Sequence, residues 1–435
     1  MNKKMLLVIA GLAVVSLLIG VMLGTNVKRM KRSDKADAAG SNAKSEQNAT
    51  ETELSQSAVQ KNDETAQQPV ESSDETVAGT ASLTDAGSPD PGAGQNISRT
   101  DSAAGPDADA NLQTEPAPAE YVSKDSANYT YEQMMEDLEE MSAAYPSLIT
   151  VNICGTSLDG RAIPEAIIGN RESTKHIFIQ ASIHAREHIN TLLAMAQIEQ
   201  LLVHHADGVY VDASYDELLS QVCFHILPMS NPDGVTISQM GIDGIRDEGL
   251  KEILRGCYQN DLDNGRTSSD IDSYWRKWKA NARGVDLNRN FDAGWETYEG
   301  VSYPSSDHYK GDAPVSEPET QAIVNAVHAC GAVLTISYHS TGSVIYWDYG
   351  SSGEVYDADA MLANIVQAIT GYSTVSSVQS SQDAAGCSDY FVLKEGTPSV
   401  TIENGYSECP IGIEEFPSIW NSNAELLPAL ALNYR

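Results

Sequence analysis

Residues 181–190 read ASIHAREHIN and follow directly on the apolar run HIFIQ, residues 176–180. His184, Arg186, Glu187 and His188 crowd into this stretch, which permits two different metal motifs. In one, His184 and His188 hold the ion from a single helix face with Glu187 beside them as base. In the other, His184 and Glu187 hold it. The first needs a helix that spans both histidines, whereas the second suits a strand that turns into a helix and brings positions i and i+3 to one point. The run before His184 reads as a buried strand, and helical periodicity starts only around residues 187–190. The spacing therefore favours His184 with Glu187, and a fold in which strands and helices alternate.

The rest of the chain extends that pattern. TVNICG (150–155) and IPEAIIG (163–169) read as strands joined by a turn at SLDGR, and QVCFHILP (221–228), AVLTISY (332–338) and TPSVTIEN (397–404) are further buried-strand candidates. Helical spacing marks residues 128–148, where Thr130 and Gln133 fit a capping box, and residues 189–205, 316–330 and 357–370. Such alternation predicts a single α/β domain with a mixed, mostly parallel central sheet flanked by helices. In sheets of this kind reactive groups gather at the carboxyl edge. His184, His339 and Glu403 each close a predicted strand, so three metal-competent side chains meet at corresponding ends. The HxxEH reading would leave His339 and Glu403 without a role.

Composition bounds the remainder of the 435 residues. Residues 1–32 carry an apolar run from Met5 to about Val27 between basic clusters, long enough for a transmembrane anchor or signal segment. Residues 33–120 are acidic, rich in Ser, Thr, Ala, Gly, Gln and Pro, and precede the first aromatic residue, Tyr121. A stretch so poor in large apolar groups reads as a disordered linker. The folded domain is expected over residues 121–435, with all five Trp and all six Cys. The basic charge after the apolar run argues for a cytoplasmic domain. Long domains translocate with little regard to that rule, and an acidic stalk suits a cell surface, so the expectation is a single-pass membrane protein with its domain outside, or a secreted one if the segment is cleaved. The net charge of -34 and the lack of a basic stripe exclude a nucleic-acid partner. The scattered cysteines are open to disulfides or plain packing.

In this order along the chain, GTSLDGRAI, HARE, LPMSNPDGV, YWRKWKANARGVDLNRNF, SEPET, SYHSTGSVIYW and SVTIENG match a known family. Over most of residues 127–430 the chain resembles the zinc carboxypeptidases of the carboxypeptidase A type, and within them the bacterial branch that includes γ-D-glutamyl-diaminopimelate peptidases. The resemblance implies one Zn2+ held by His184, Glu187 and His339, with the open fourth position of a catalytic site. It implies Glu403 as general base and Arg276 as the oxyanion partner. Asn288 and Arg289 would grip the free C-terminal carboxylate of a peptide substrate, with Arg186 as an accessory cation near the same groove. Counting back from Glu403 places Ser388 at the specificity pocket.

Some features depart from that pattern or stay outside it. The tyrosine that animal members carry before the pocket motif has no equivalent in residues 376–389, and serine at 388 selects neither aromatic nor basic terminal residues. The acidic segment 241–273 reads as a long loop beside the groove. His176, His188, His204, His205, His225, His308 and His328 are assigned to core or surface, and the Cys, Met and Trp residues to packing. Removal of the C-terminal residue from peptides by a zinc metallocarboxypeptidase, with cell-wall stem peptides among the plausible substrates, is the leading expectation. An amide hydrolase or deacylase on the same scaffold and an inactive surface binding module are the rivals.

Overall fold

Every residue of the strand His176–Ala181 except the first is buried, and its side chains alternate between two cores. Ile177, Ile179 and Ala181 face one, and Phe178 the other. Burial on both faces is why the strand shows no polar alternation; Ile177, Phe178 and Ile179 each contribute about 1.5–3 kcal/mol. This is β3 of a computed structural model that describes residues 120–378 and 383–435. The apolar N-terminal segment and the acidic linker up to residue 119 lie outside the described residues. Among the described residues no helix is long and apolar enough to cross a membrane.

The strands are β1 (Ile149–Thr156), β2 (Ala162–Gly169), β3, β4 (Val209–Tyr210), β5 (Ala213–Ser214), β6 (Cys223–Leu227), β7 (Leu334–His339), β8 (Val344–Trp347), β9 (Ser373–Ser376) and β10 (Ser399–Glu403). β4 and β5 form a small hairpin; the other eight make one sheet in the order β1-β2-β6-β3-β7-β10-β8-β9. The central β6, β3, β7 and β10 run parallel, while β1, β2 and the β10–β8 pair are antiparallel. The mixed, mostly parallel sheet expected from the sequence is what the chain forms. Helices Tyr131–Ala144, Ile189–Val203 and Leu426–Tyr434 belong to one core, and Pro318–Cys330 covers the other.

One alternation positions the site. On β7, Leu334, Ile336 and Tyr338 enter the larger core, and on β10 so do Val400 and Ile402. The intervening residues are Thr335, Ser337 and His339 on β7 and Ser399, Thr401 and Glu403 on β10, and they pair in register, Thr335 with Ser399, Ser337 with Thr401, His339 with Glu403. Register partners on parallel strands share a face. Two polar rows therefore climb side by side to the carboxyl edge and end in an imidazole and a carboxylate.

Three local expectations change. Residues 241–273 are not a loop: they hold a 3-10 turn, Gly241–Gly244, the helix Glu248–Asp263 and the first half of the helix Ile271–Arg276. The longer helix is capped by Asp247, which accepts from Leu250 N at 2.9 Å, and it packs Leu254 and Cys257 against Tyr274, Trp275 and Trp278. Its acidic character is partly internal, since Asp261 accepts from Tyr274 and Ser305 hydroxyls, each at 2.7 Å. At the first helix, Thr130 caps Gln133 N at 3.2 Å, but the Gln133 side chain bonds Asp137 at 2.9 Å instead of closing the box. β3 ends at Ala181, three residues before His184. All six cysteines are free.

Candidate functional site at the carboxyl edge

After β3 the chain turns at Ser182, whose φ of 53° lies in the left-handed region. That conformation costs a non-glycine residue about 1 kcal/mol or more. The Ser182 hydroxyl offsets it by bonding Thr191 Oγ1 at 2.8 Å, tying the turn to the following helix. His184 is extended, Ala185–Glu187 form one 3-10 turn, and the helix starts at Ile189. His184 and Glu187 consequently meet, Nδ1 to Oε1, at 2.9 Å. His339, from the end of β7, brings its Nδ1 to 3.0 Å from His184 Nδ1 and 3.0 Å from Glu187 Oε2. His188 is not part of this group. It turns toward Arg276 in a neighbouring cavity of about 650 Å³, and burial together with the Arg276 charge lowers its pKa to about 4.

The donor set tests whether a cation fits. The second nitrogen of His184, Nε2, lies 3.2 Å from Asp286 Oδ1. Asp286 is completely buried; burial works against its charge, but Lys279 and His184 hold its carboxyl well below the usual range. It therefore accepts the Nε2 proton and leaves Nδ1 of His184 as a lone pair. Two imidazole nitrogens and a carboxylate then converge in a buried space with their lone pairs facing one another. Such a group can hold a cation, and two imidazole nitrogens with one carboxylate suit Zn2+.

Supporting contacts fix the two loops. Ser340 N donates to Glu187 Oε2 at 3.1 Å. Asn190 donates to the Glu187 carbonyl and to Ser340 Oγ, both at 3.1 Å. Asn404, the residue after β10, donates to Asn190 at 3.0 Å and accepts from Asn423 at 2.9 Å. Glu403 stands beside His339; burial raises its carboxyl to about 7, with Glu187 adding to the rise and His339, Lys279 and Arg186 opposing it. Asp286 and Lys279 were both missed in the sequence. Asp286 lies inside DLNRN, two residues before Asn288, and Lys279 two residues past WRK.

The other candidates lie on several elements, and Arg276 lines the neighbouring cavity. Arg276 ends its helix exposed, lines the cavity with His188, Trp275 and Pro410–Glu414, and forms no ion pair among the described residues. Arg186 donates to the Lys277 carbonyl at 3.4 Å. Asn288 and Arg289 lie in a 3-10 turn capped by Asp286, so the turn is tied to His184 through one carboxylate. Asn288 Oδ1 accepts from Cys387 N at 2.8 Å, which leaves its NH2 group for a ligand. Arg289 pairs with Asp383 at 2.9 Å and lies over the Tyr298 ring at 5.4 Å. Ser388 is buried, 3.0 Å from Thr401 Oγ1 and 3.5 Å from Ser337 Oγ, among the polar rows of β7 and β10.

A mixed α/β sheet carrying a three-donor metal group beside a carboxylate at its carboxyl edge defines a metallohydrolase scaffold. Residues 134–407 match the zinc carboxypeptidase family. The chain belongs to that family and is a hydrolase of it. It is 31% identical over 296 residues to a γ-D-glutamyl-L-diamino acid endopeptidase 1 of Lysinibacillus sphaericus, covering 67% of this chain and 69% of that one. It is 26% identical over 286 residues to a carboxypeptidase B of Astacus astacus, covering 62% and 82%. Among solved structures, carboxypeptidase A from Helicoverpa armigera aligns with a TM-score of 0.51 at 22% identity over 71% of this chain and 75% of that one. Thrombin-activatable fibrinolysis inhibitor aligns with a TM-score of 0.55 at 18% identity over 72% and 77%. At those identities the structural likeness speaks for the fold alone.

Proposed function

We propose that this chain is a zinc metallocarboxypeptidase that cleaves the bond before the C-terminal residue of peptides, cell-wall stem peptides among them. The observation that carries the reading is the convergence of His184, Glu187 and His339 beside Glu403, with Asn288 and Arg289 tied to His184 through Asp286. Zinc held by the three donors supplies Lewis acidity toward the scissile carbonyl and toward water. Glu403, lifted by burial to about 7, is poised to take a proton from the attacking water and return it to the departing nitrogen. Arg276 offers a guanidinium to the oxygen on which negative charge develops. Asn288 and Arg289 orient the terminal carboxylate, and Arg186 adds positive charge beside Glu403.

The cell-wall substrate is supported by the likeness to the bacterial endopeptidase and by the hydroxyls of Ser337, Ser388 and Thr401, which suit a polar terminal residue better than an aromatic one. Residues 1–32 as a membrane anchor and 33–120 as a spacer would place the domain outside the cell. The apolar run from Met5 to Val27 supports this, and protease accessibility on intact cells tests it.

A second reading rests on Asp383. Its carboxylate already occupies the Arg289 guanidinium, which favours cleavage that does not depend on a free terminal carboxylate, as in an endopeptidase or amidase. Comparing a peptide acid with its amide decides the matter. Preferential cleavage of the acid supports the carboxypeptidase reading, and equal rates refute it.

A further inference from the structure

At the opposite end of the sheet, the first residues of β3 and β6 face each other: His176 is the register partner of Cys223. His225 lies two residues along β6 on the same side as Cys223. Its Nε2 is 2.9 Å from His176 Nδ1, and its Nδ1 is 2.8 Å from Glu165 Oε1 on β2. One donor atom from each of His176, Cys223 and His225 falls within 4.8 Å of the others. About 17 Å of strand separates His176 from the end of β3, beyond which the carboxyl-edge site begins. We infer that His176, Cys223 and His225 form a second metal site, taking a borderline-soft divalent ion of the zinc type, with Glu165 as the carboxylate that orients His225.

The proton inventory supports this. Glu165 takes the Nδ1 proton of His225 and so turns its Nε2 into a lone pair aimed at His176, the arrangement by which carboxylates prepare metal-binding histidines. A simple hydrogen bond between the two rings would satisfy that lone pair but leaves Cys223 unexplained. The cysteine is completely buried, adjoins both ring nitrogens, and its thiol has no hydrogen-bond partner among the described residues. A metal uses all three atoms at once and releases the thiol proton on binding. His176 is only half-buried, which gives the ion a way in and leaves one coordination position for water. Thiolate with two imidazoles excludes Mg2+ and Ca2+, which prefer oxygen. Because the ligands come from β3 and β6, with Glu165 on β2, the ion would fasten the parallel and antiparallel parts of the sheet together.

The test loads the full chain with Co2+. Only a thiolate ligand produces a near-ultraviolet sulfur-to-cobalt charge-transfer band, so the signal is independent of the carboxyl-edge site whether or not that site fills. The expected result is the band together with about two Co2+ per chain, falling to about one with the band lost in Cys223→Ser. His176→Gln should weaken cobalt binding at this site at least tenfold, and His339→Ala should keep the band. Cys223→Ser should retain peptide hydrolysis within about twofold, which also certifies its fold. A wild-type chain without the band, or a band that survives Cys223→Ser, overturns the proposal.

Discussion

His339 and Glu403 are direct register partners at the carboxyl ends of the parallel strands β7 and β10. The sheet itself therefore fixes the spacing between a metal-competent imidazole and the carboxylate beside it. Substituting Glu403→Gln keeps the shape of the side chain and removes its basicity. Turnover should fall by a factor of about 10²–10⁴, the usual contribution of a general base, while zinc content stays unchanged. Single-turnover hydrolysis combined with metal analysis checks this, and an active Glu403→Gln chain would remove Glu403 from the chemistry.

In the proposed metal site, Asp286 acts through His184. Asp286→Asn preserves size but loses the charged acceptor that holds the ring in the tautomer presenting Nδ1. Zinc affinity should drop by about 10–100-fold, measured by competition with a chromogenic chelator. The same carboxylate caps the turn carrying Asn288 and Arg289, so KM for peptide acids should rise as well. An unaltered zinc affinity would mean that His184 is oriented by its packing alone.

How much of this was readable beforehand depends on the kind of signal. The buried strands were plain because β3, β6, β7 and β10 are continuous apolar or small-residue runs between turns. HARE was readable because a strand, a turn and a helix succeed one another within ten residues. The helix Glu248–Asp263 was hidden, since its buried Leu254 and Cys257 are scattered among charges that mark a loop by composition. The polar rows of β7 and β10 could not be seen in either strand alone; they appear only once the register pairs Ser337 with Thr401 and His339 with Glu403. His176, Cys223 and His225 likewise look like core residues until β3 and β6 are laid side by side.

On the proposed reading of Arg289 as a carboxylate clamp, its ion pair with Asp383 sets how tightly a substrate is held. A peptide carboxylate must compete with Asp383 for the guanidinium, so Asp383→Asn should lower KM for peptide acids severalfold and leave the corresponding amides unaffected. Arg289→Lys, which replaces a planar fork with a point charge, should raise KM for acids by roughly 10-fold or more. Steady-state kinetics on matched acid and amide peptides measures both. Parallel changes for acid and amide would show that Arg289 serves the fold rather than the substrate.

Glu319 makes stability depend on pH. It is completely buried at the start of the helix Pro318–Cys330, with one oxygen 3.2 Å from Asn281 Nδ2 and the other unpartnered. Burial, helped by the charges of Asp233 and Glu317, raises its carboxyl to about 8. The folded chain then holds a proton that the unfolded chain releases near its ordinary pKa of 4.5. A folded-state pKa above the unfolded one means that stability is fully present at low pH and declines as pH rises from about 4.5 to about 8. Over that range the loss attributable to this one group is on the order of a few kcal/mol. Glu319→Gln mimics the protonated form, so it should flatten that part of the profile and stabilise the chain above pH 8. Urea unfolding of both chains between pH 5 and 9 is the measurement. Parallel profiles for wild type and Glu319→Gln would mean that the buried carboxyl is ionised throughout.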